Sequence, residues 1–376
     1  LSQDTPLPAR AKSSRTSAPN ASKPPGKKFR WGRFIFLLLG VIILALACYV
    51  GYLLVVGDQN LNKISKPADA KGGVTIAKEE RAQVKPIALT LLGLDTRSET
   101  GSMNTDVMMV AAFNPKTKTA TVISIPRDSD LNVEGYKKHK ANGYYAAFYM
   151  YGKNKENLEG DAVPAYARDE TRLMLSKFFE IPIDYTAVID FQGFVDVVDA
   201  LGGVEVTVDK DMRYVDTVDD TDIDLKKGEQ MLNGEQALGF VRYRKSNPGR
   251  GYKQTAASSD FERNERQSQV LGAITDRLKS FSNVTKVDNI LNAVGDNMRT
   301  DIPKAQIENI IATYFGINRS DIRFIPLTGN WKSPYVYLDE DKLLEAKKAL
   351  AEELITTGRP VADVTPTSSS SAQASE

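Results

Sequence analysis

Cysteine and histidine are nearly missing from this chain of 376 residues. Cys48 is the only cysteine, and it sits inside a long apolar run. An intrachain disulfide, a zinc cluster and a cysteine nucleophile in the polar part of the sequence are thereby excluded. His139 is the only histidine, which removes multi-histidine metal sites and leaves little room for Ser-His-Asp catalysis. Acid–base or metal chemistry must come from carboxylates, with arginine and lysine as the electrophilic partners. Net charge is scarce too, since 49 Lys and Arg face 48 Asp and Glu. That balance hides an asymmetry. Eight bases and one acid precede Phe34, leaving 41 bases against 47 acids, a net of −6, for the rest. A duplex-binding domain carries a basic footprint instead, so no nucleic-acid partner is expected.

One long apolar run is present. Phe34–Val56, FIFLLLGVIILALACYVGYLLVV, holds no charge over 23 residues, enough to cross a hydrocarbon core of about 30 Å. A buried core helix would show a polar face, and a cleaved signal has an apolar stretch of only about 7–15 residues. The sequence therefore predicts one transmembrane helix over 34–56, its basic N-terminal flank held inside. Residues 1–33 read as a disordered basic cytoplasmic tail, 57–86 as an extracellular stalk, 87–357 as an extracellular catalytic domain at the cell membrane, and 358–376 as a disordered tail.

The globular stretch opens with three strand-like runs. IALTLLGLD (Ile87–Asp95) is apolar throughout, as in a strand buried on both faces. DVMMVAAFN and TATVISIP follow, separated by the turn Asn114-Pro115-Lys116-Thr117. Helices are expected over 164–180, 191–201, 234–240, 260–280, 287–298, 303–315 and 339–354, with strands over 185–189, at GVEVTV and at IRFIPL. This alternation predicts an α/β fold, a three-layer αβα domain with a central mixed sheet.

Candidate chemistry sits at strand ends, where such folds build sites. Asp95 closes the first strand and Asp106 opens the second, so the pair could share a hard divalent cation or each cap a turn separately. Arg127 and Asp128 follow ISIP, where the arginine could grip phosphate or the two could form a surface salt bridge. In FVRYRK, Arg242 and Arg244 point to one face if the chain is extended. On a helix, Asp260, Arg263 and Gln267 share a face, with Ser258 or Ser259 as its cap and Arg266 off that face as a solvated charge. An ordinary charged helix would look the same. His139, among lysines, reads as solvated, with its pKa lowered by its neighbours.

In order behind one N-terminal span, LLGLDTR, NTDVMMVAAFNP, ISIPRD, HKANGYY, FVRYR and DFERNERQ resemble the LytR–CpsA–Psr family over about residues 87–326. The resemblance implies a phosphotransferase that attaches a polymer, such as wall teichoic acid or capsular polysaccharide, from undecaprenyl pyrophosphate to peptidoglycan. It implies Mg²⁺, or Mn²⁺, at Asp95 and Asp106. Arg97, Arg127, Arg242, Arg244, Asp260, Arg263 and Gln267 would hold the pyrophosphate, and Lys140 and Asn142 would form a K-x-N element. Asn104 stands where the family commonly has arginine. The prenyl tail would need an apolar groove, for which Phe178, Phe179, Val195, Val270 and Leu271 are candidates, though they would equally serve as core. A nucleic-acid-binding regulator and a lipid-diphosphate hydrolase are the competing readings.

Overall fold

The computed structural model describes residues 76–95, 103–217, 221–247, 254–280, 298–314 and 317–356. The apolar run at 34–56 lies outside them, as does the helix expected over 287–298 except for Met298, which opens a strand. No helix among the described residues is long and apolar enough to cross a membrane.

The first three strands form where their sequences are apolar and β-branched, as β1 (Ile87–Asp95), β2 (Asn104–Asn114) and β3 (Thr119–Ser124). Two helices follow, α1 (Tyr144–Asn154) and α2 (Ala162–Phe179), then β4 (Tyr185–Asp190) and α3 (Phe191–Ala200). Helix α3 is capped by Asp190, whose side chain accepts from the Gly193 amide at 2.8 Å. Four short strands come next: β5 (Val204–Val208), β6 (Met212–Asp216), β7 (Thr221–Leu225) and β8 (Gly228–Leu232). Helix α4 (Gly234–Arg242) starts with a capping box between Asn233 and Gln236. The long helix α5 (Asp260–Ser280) precedes β9 (Met298–Thr300), α6 (Lys304–Tyr314) and β10 (Ile322–Pro326). A hairpin of β11 (Gly329–Lys332) and β12 (Tyr335–Leu338) leads into α7 (Glu340–Glu353).

Six strands make one mixed sheet in the order β10-β3-β2-β1-β4-β9. Strand β1 runs antiparallel to β2 and parallel to β4, and β10 runs parallel to β3. Side chains alternate across the sheet. Ala88, Leu92, Leu94, Met108, Val110 and Ala112 pack on one face under α1, α2 and α7. Ile87, Leu89, Met109 and Ala111 pack on the other, against Leu271 of α5 and Ile310 of α6. A mixed sheet with helices on both faces is thus present, as the sequence predicts. A second core joins β5–β8 to α4 and α5 through Val204, Val206, Ile223, Phe240 and Val270.

Some expectations need correcting. The folded body starts before residue 87, because Ala82 is fully buried and its amide donates to Gln306 Oε1 at 3.2 Å. Helix α1 was not expected. Its run YYAAFYMYGKN has no side-chain cap, and its aromatic content favours strands by propensity.

Candidate functional site

Asp106 reaches the site through an irregularity in the sheet. Gly93 pairs with Val107 and Leu94 with Thr105, so Asp106 is an extra residue in β2, a β-bulge. Bulges re-aim a side chain and are common beside active sites. The crossing is tight, for a Cβ on Gly93 would lie 2.9 Å from the Cβ of Val107. Below the bulge, Asp95 pairs directly with Asn104. Asp95, Asn104 and Asp106 all line one cavity of about 480 Å³.

Arg127, just past β3, enters the same cavity and forms an ion pair with Asp106. It is therefore not paired with Asp128, which instead takes Lys140 Nζ at 3.0 Å. The K-x-N element holds the Arg127 backbone in place. The Asn142 amide donates to the Arg127 carbonyl at 2.9 Å, and Thr105 Oγ1 donates to the Asn142 carbonyl at 3.2 Å.

The opposite wall carries the remaining arginines. Arg242 is the last residue of α4 and Arg244 follows the non-helical Tyr243, so the pair is not part of an extended strand. Both still line the cavity, together with Arg263 of α5. The Arg242 guanidinium stacks 4.4 Å from the centroid of the Phe191 ring. Burial, and then the nearby Arg244 and Arg127, push Arg263 down to about 9. Arg244 is lowered by burial and then by Arg127. The cavity thus gathers guanidinium groups that oppose one another's charge, which an anion would relieve.

Helix α5 is fixed by a capping box. The Glu262 amide donates to Ser259 Oγ at 3.2 Å, and the Ser259 amide donates to Glu262 Oε2 at 2.6 Å. Asp260 opens the helix, but its side chain lies outside the described residues, as does Arg97. Gln267 does not line the arginine cavity. It lines a neighbouring cavity of about 230 Å³. That second cavity is mostly apolar, with Leu91, Phe194, Val270 and Leu271 among its walls, and it shares Asp106, Arg242 and Arg263 with the first. Val270 and Leu271 line this cavity and are also part of the packing described above. Phe178 and Phe179 belong to the core under α1, α2 and α7, and buried Val195 lines neither cavity.

Arg266 is not solvated. It is 3% exposed and grips Asp209 with Nε at 2.7 Å and Nη2 at 2.8 Å. It also donates to the Tyr243 carbonyl at 3.3 Å and to Ser258 Oγ at 2.9 Å, so it ties the segment between Arg242 and Arg244 to α5. Sequence reading also missed Tyr214, Asp216 and Thr221, which the β6–β7 hairpin adds to the cavity wall. Tyr214 Oη donates to Asp216 Oδ2 at 3.0 Å. His139 is partly buried edge-on to Tyr144, and burial followed by Lys137 lowers its pKa.

The residues present fit a divalent cation such as Mg²⁺. Among the described residues no group of three or more His, Cys, Asp or Glu gathers as a metal cage. Mg²⁺ does not need one, because it commonly takes one or two carboxylates and completes its shell with water and phosphate oxygens. Asp95 and Asp106 supply that number in a cavity also lined by Arg127, Arg242, Arg244 and Arg263.

Comparison with known proteins gives a consistent picture. The LytR_cpsA_psr family profile matches residues 51–353. The chain is 31% identical over 332 residues to the polyisoprenyl-teichoic acid–peptidoglycan teichoic acid transferase TagV of Bacillus subtilis, covering 85% of this chain and 78% of that one. It is 30% identical to TagT of the same organism over 348 residues, covering 88% and 97%. A solved structure of the LytR-CPS2A-psr family protein YwtF (TagT) with bound octaprenyl pyrophosphate lipid superposes with a TM-score of 0.53 at 27% identity, covering 77% of this chain and 99% of that one.

Proposed function

Because the chain belongs to the LytR–CpsA–Psr family, we propose that it is a phosphotransferase that moves an anionic glycopolymer from an undecaprenyl-pyrophosphate carrier to peptidoglycan. The observation that carries this reading is the convergence of Arg127, Arg242, Arg244 and Arg263, from three separated segments, on a cavity that opens beside an apolar one. An amphiphile with a diphosphate head and a prenyl tail matches that pairing, and the relative crystallised with octaprenyl pyrophosphate supports it.

In the reaction, a sugar hydroxyl of peptidoglycan attacks the polymer-proximal phosphorus. The P–O bond to undecaprenyl phosphate breaks, a phosphodiester forms and the hydroxyl proton is released. The four arginines orient the diphosphate and neutralise charge, which supplies most of the catalysis in phosphoryl transfer. The Thr105–Asn142–Arg127 hydrogen bonds keep one guanidinium aimed, and the Asp209–Arg266 pair keeps the Arg242–Arg244 segment against α5. Mg²⁺ held by Asp95 and Asp106 would add positive charge at the diphosphate oxygens. Asn104, paired with Asp95 in the same wall, brings no charge where the family commonly has arginine. The family's usual acceptor and the apolar run at 34–56 support a domain outside the cell membrane, with the basic tail inside.

The test is product analysis. The purified chain is given a polyprenyl-diphosphate-linked oligosaccharide and peptidoglycan, with and without chelator. The expected product is a phosphodiester-linked polymer on peptidoglycan, formed only with Mg²⁺ or Mn²⁺. Release of free polymer phosphate with no glycan linkage would favour a hydrolase instead, and full turnover after exhaustive chelation would remove the metal role from Asp95 and Asp106. A protease-sensitive tag at residue 10 in intact cells, with a protected C-terminus, would reverse the orientation.

A further inference from the structure

The β11–β12 hairpin carries aromatic side chains that the core does not use. Trp331 is 58% exposed and Tyr337 is 42% exposed. Residues facing each other in this ladder are Trp331 with Val336, Lys332 with Tyr335 and Asn330 with Tyr337. Alternation therefore puts Tyr335 and Tyr337 on one face and Trp331 on the other. The Lys140 ammonium lies 5.4 Å from the centroid of the Trp331 ring.

The hairpin is joined to the arginine cavity by hydrogen bonds. The Val336 amide donates to the Asp128 carbonyl, and the Asp130 amide donates to the Val336 carbonyl, both at 2.9 Å. Asp128 follows Arg127 directly, and its carboxylate takes the same Lys140 that faces Trp331. Trp331 thus lies two side chains away from the cavity rim.

Its place in the sheet order says which ligand reaches it. The apolar cavity lies over β2, β1, β4 and β9. The hairpin follows β10 and is tied to the segment after β3, at the other end of the sheet. The arginine cavity opens at the ends of β1, β2 and β3, between the two. In phosphoryl transfer the attacking and leaving oxygens are roughly in line. With the prenyl phosphate leaving toward the apolar cavity, the attacking hydroxyl comes from the hairpin's end. An exposed Trp offers a large flat face with little entropy to lose, on which the apolar face of a pyranose ring can stack.

Resting on the transfer reading above, we infer that Trp331, with Lys140 beside it, is a stacking platform for a sugar ring of the acceptor peptidoglycan strand.

The test uses the full chain in detergent and insoluble peptidoglycan stripped of attached polymers, with co-sedimentation as the readout. Trp331→Ala is expected to weaken sedimentation roughly tenfold, as for a binding hot spot. Trp331→Phe recovers most of it, and Tyr337→Ala on the other face sediments as the unaltered chain does. In transfer assays Trp331→Ala raises the acceptor KM by the same factor and leaves the donor KM alone. Undiminished sedimentation of Trp331→Ala, an equal loss in Tyr337→Ala, or Trp331-dependent binding of free anionic polymer in place of stripped peptidoglycan would each overturn the assignment. Trp331-dependent sedimentation in a chain that transfers nothing would instead sink the transferase reading and leave the platform standing.

Discussion

Arg263 and Arg266 lie three residues apart on α5 and are 7% and 3% exposed, yet the regions they face treat them in opposite ways. In the seam between α5 and the end of β5, Arg266 meets Asp209 with two guanidinium nitrogens and two further acceptors. Burial alone would raise the Asp209 pKa, but the hydrogen bonds and charge of Arg266 outweigh it and hold the carboxyl below its usual range. On the cavity side, burial and two neighbouring arginines depress Arg263 to about 9. One region completes its electrostatics within the fold. The other sets several arginines side by side, with Asp106 and Asp128 as nearby acids. Burial depth therefore does not separate a structural arginine from a ligand-binding one, whereas the identity of its neighbours does.

The largest effect that could break this contrast is on transfer. Replacing Arg127, Arg242, Arg244 or Arg263 with Ala should remove one or two charge-assisted hydrogen bonds to the diphosphate, each worth roughly 1.5–3 kcal/mol. Transfer should fall about tenfold to a hundredfold, with a small effect on melting temperature except in Arg127→Ala, which also loses the ion pair to Asp106. Lysine should rescue poorly where paired hydrogen bonds are needed. Paired rate and melting measurements on the four variants decide the matter. Full activity in all four, with melting changes under about 1 kcal/mol, would mark them as surface charges.

Arg266→Ala should do the reverse. It strands Asp209, which is partly exposed and can take up water, so the loss is set below that of a fully buried pair, at roughly 2–3 kcal/mol. Denaturant titration should show that loss in the absence of any ligand. A variant as stable as the parent, but inactive, would move Arg266 into the binding group.

The smallest test concerns a buried acid. Asp301 accepts from the Thr186 amide at 2.6 Å and lies 3.7 Å from Arg172 Nε, yet burial pushes it up to about 6. A carboxyl raised in the fold binds its proton more tightly there than in the unfolded chain, so stability increases as pH falls through 6. Between pH 7 and pH 5 the parent should gain about 1 kcal/mol relative to Asp301→Asn. Parallel stability curves would show that Arg172 compensates the burial fully.

Much of the sheet was legible because β1–β3 are continuous apolar runs closed by turn residues, a local signal. The cavity arginines were legible as an ordered set of motifs, while their meeting point depended on long-range pairing. Arg266 was misread because a helical wheel records which face a residue takes and not that Asp209, 57 positions away, waits on that face. Tyr214 and Asp216 escaped notice because the β6–β7 hairpin is short and rich in acids, a pattern that resembles a solvated loop. Gln267 shares a face with Arg263, as its spacing predicts, but one turn further along α5 that face has left the polar cavity and looks into the apolar one.

The extra residue at Asp106 changes parity along β2. Beyond it, even-numbered Met108, Val110 and Ala112 point to the layer containing α2, and odd-numbered Val107 and Met109 point away. Before it, Thr105 is paired with Leu94, which faces that same layer, while Asn104 is paired with Asp95. Odd and even have exchanged sides. Deleting Asp106 would therefore remove the bulge and leave a regular ladder, in which Thr105 keeps its pairing with Leu94 and Asn104 its pairing with Asp95. Asn104 would stay in the cavity wall and the Thr105–Asn142 bond behind Arg127 would survive, while the carboxylate that pairs with Arg127 would be lost. Substitution and deletion at Asp106 would both remove the carboxylate, and deletion alone would also straighten the strand around it.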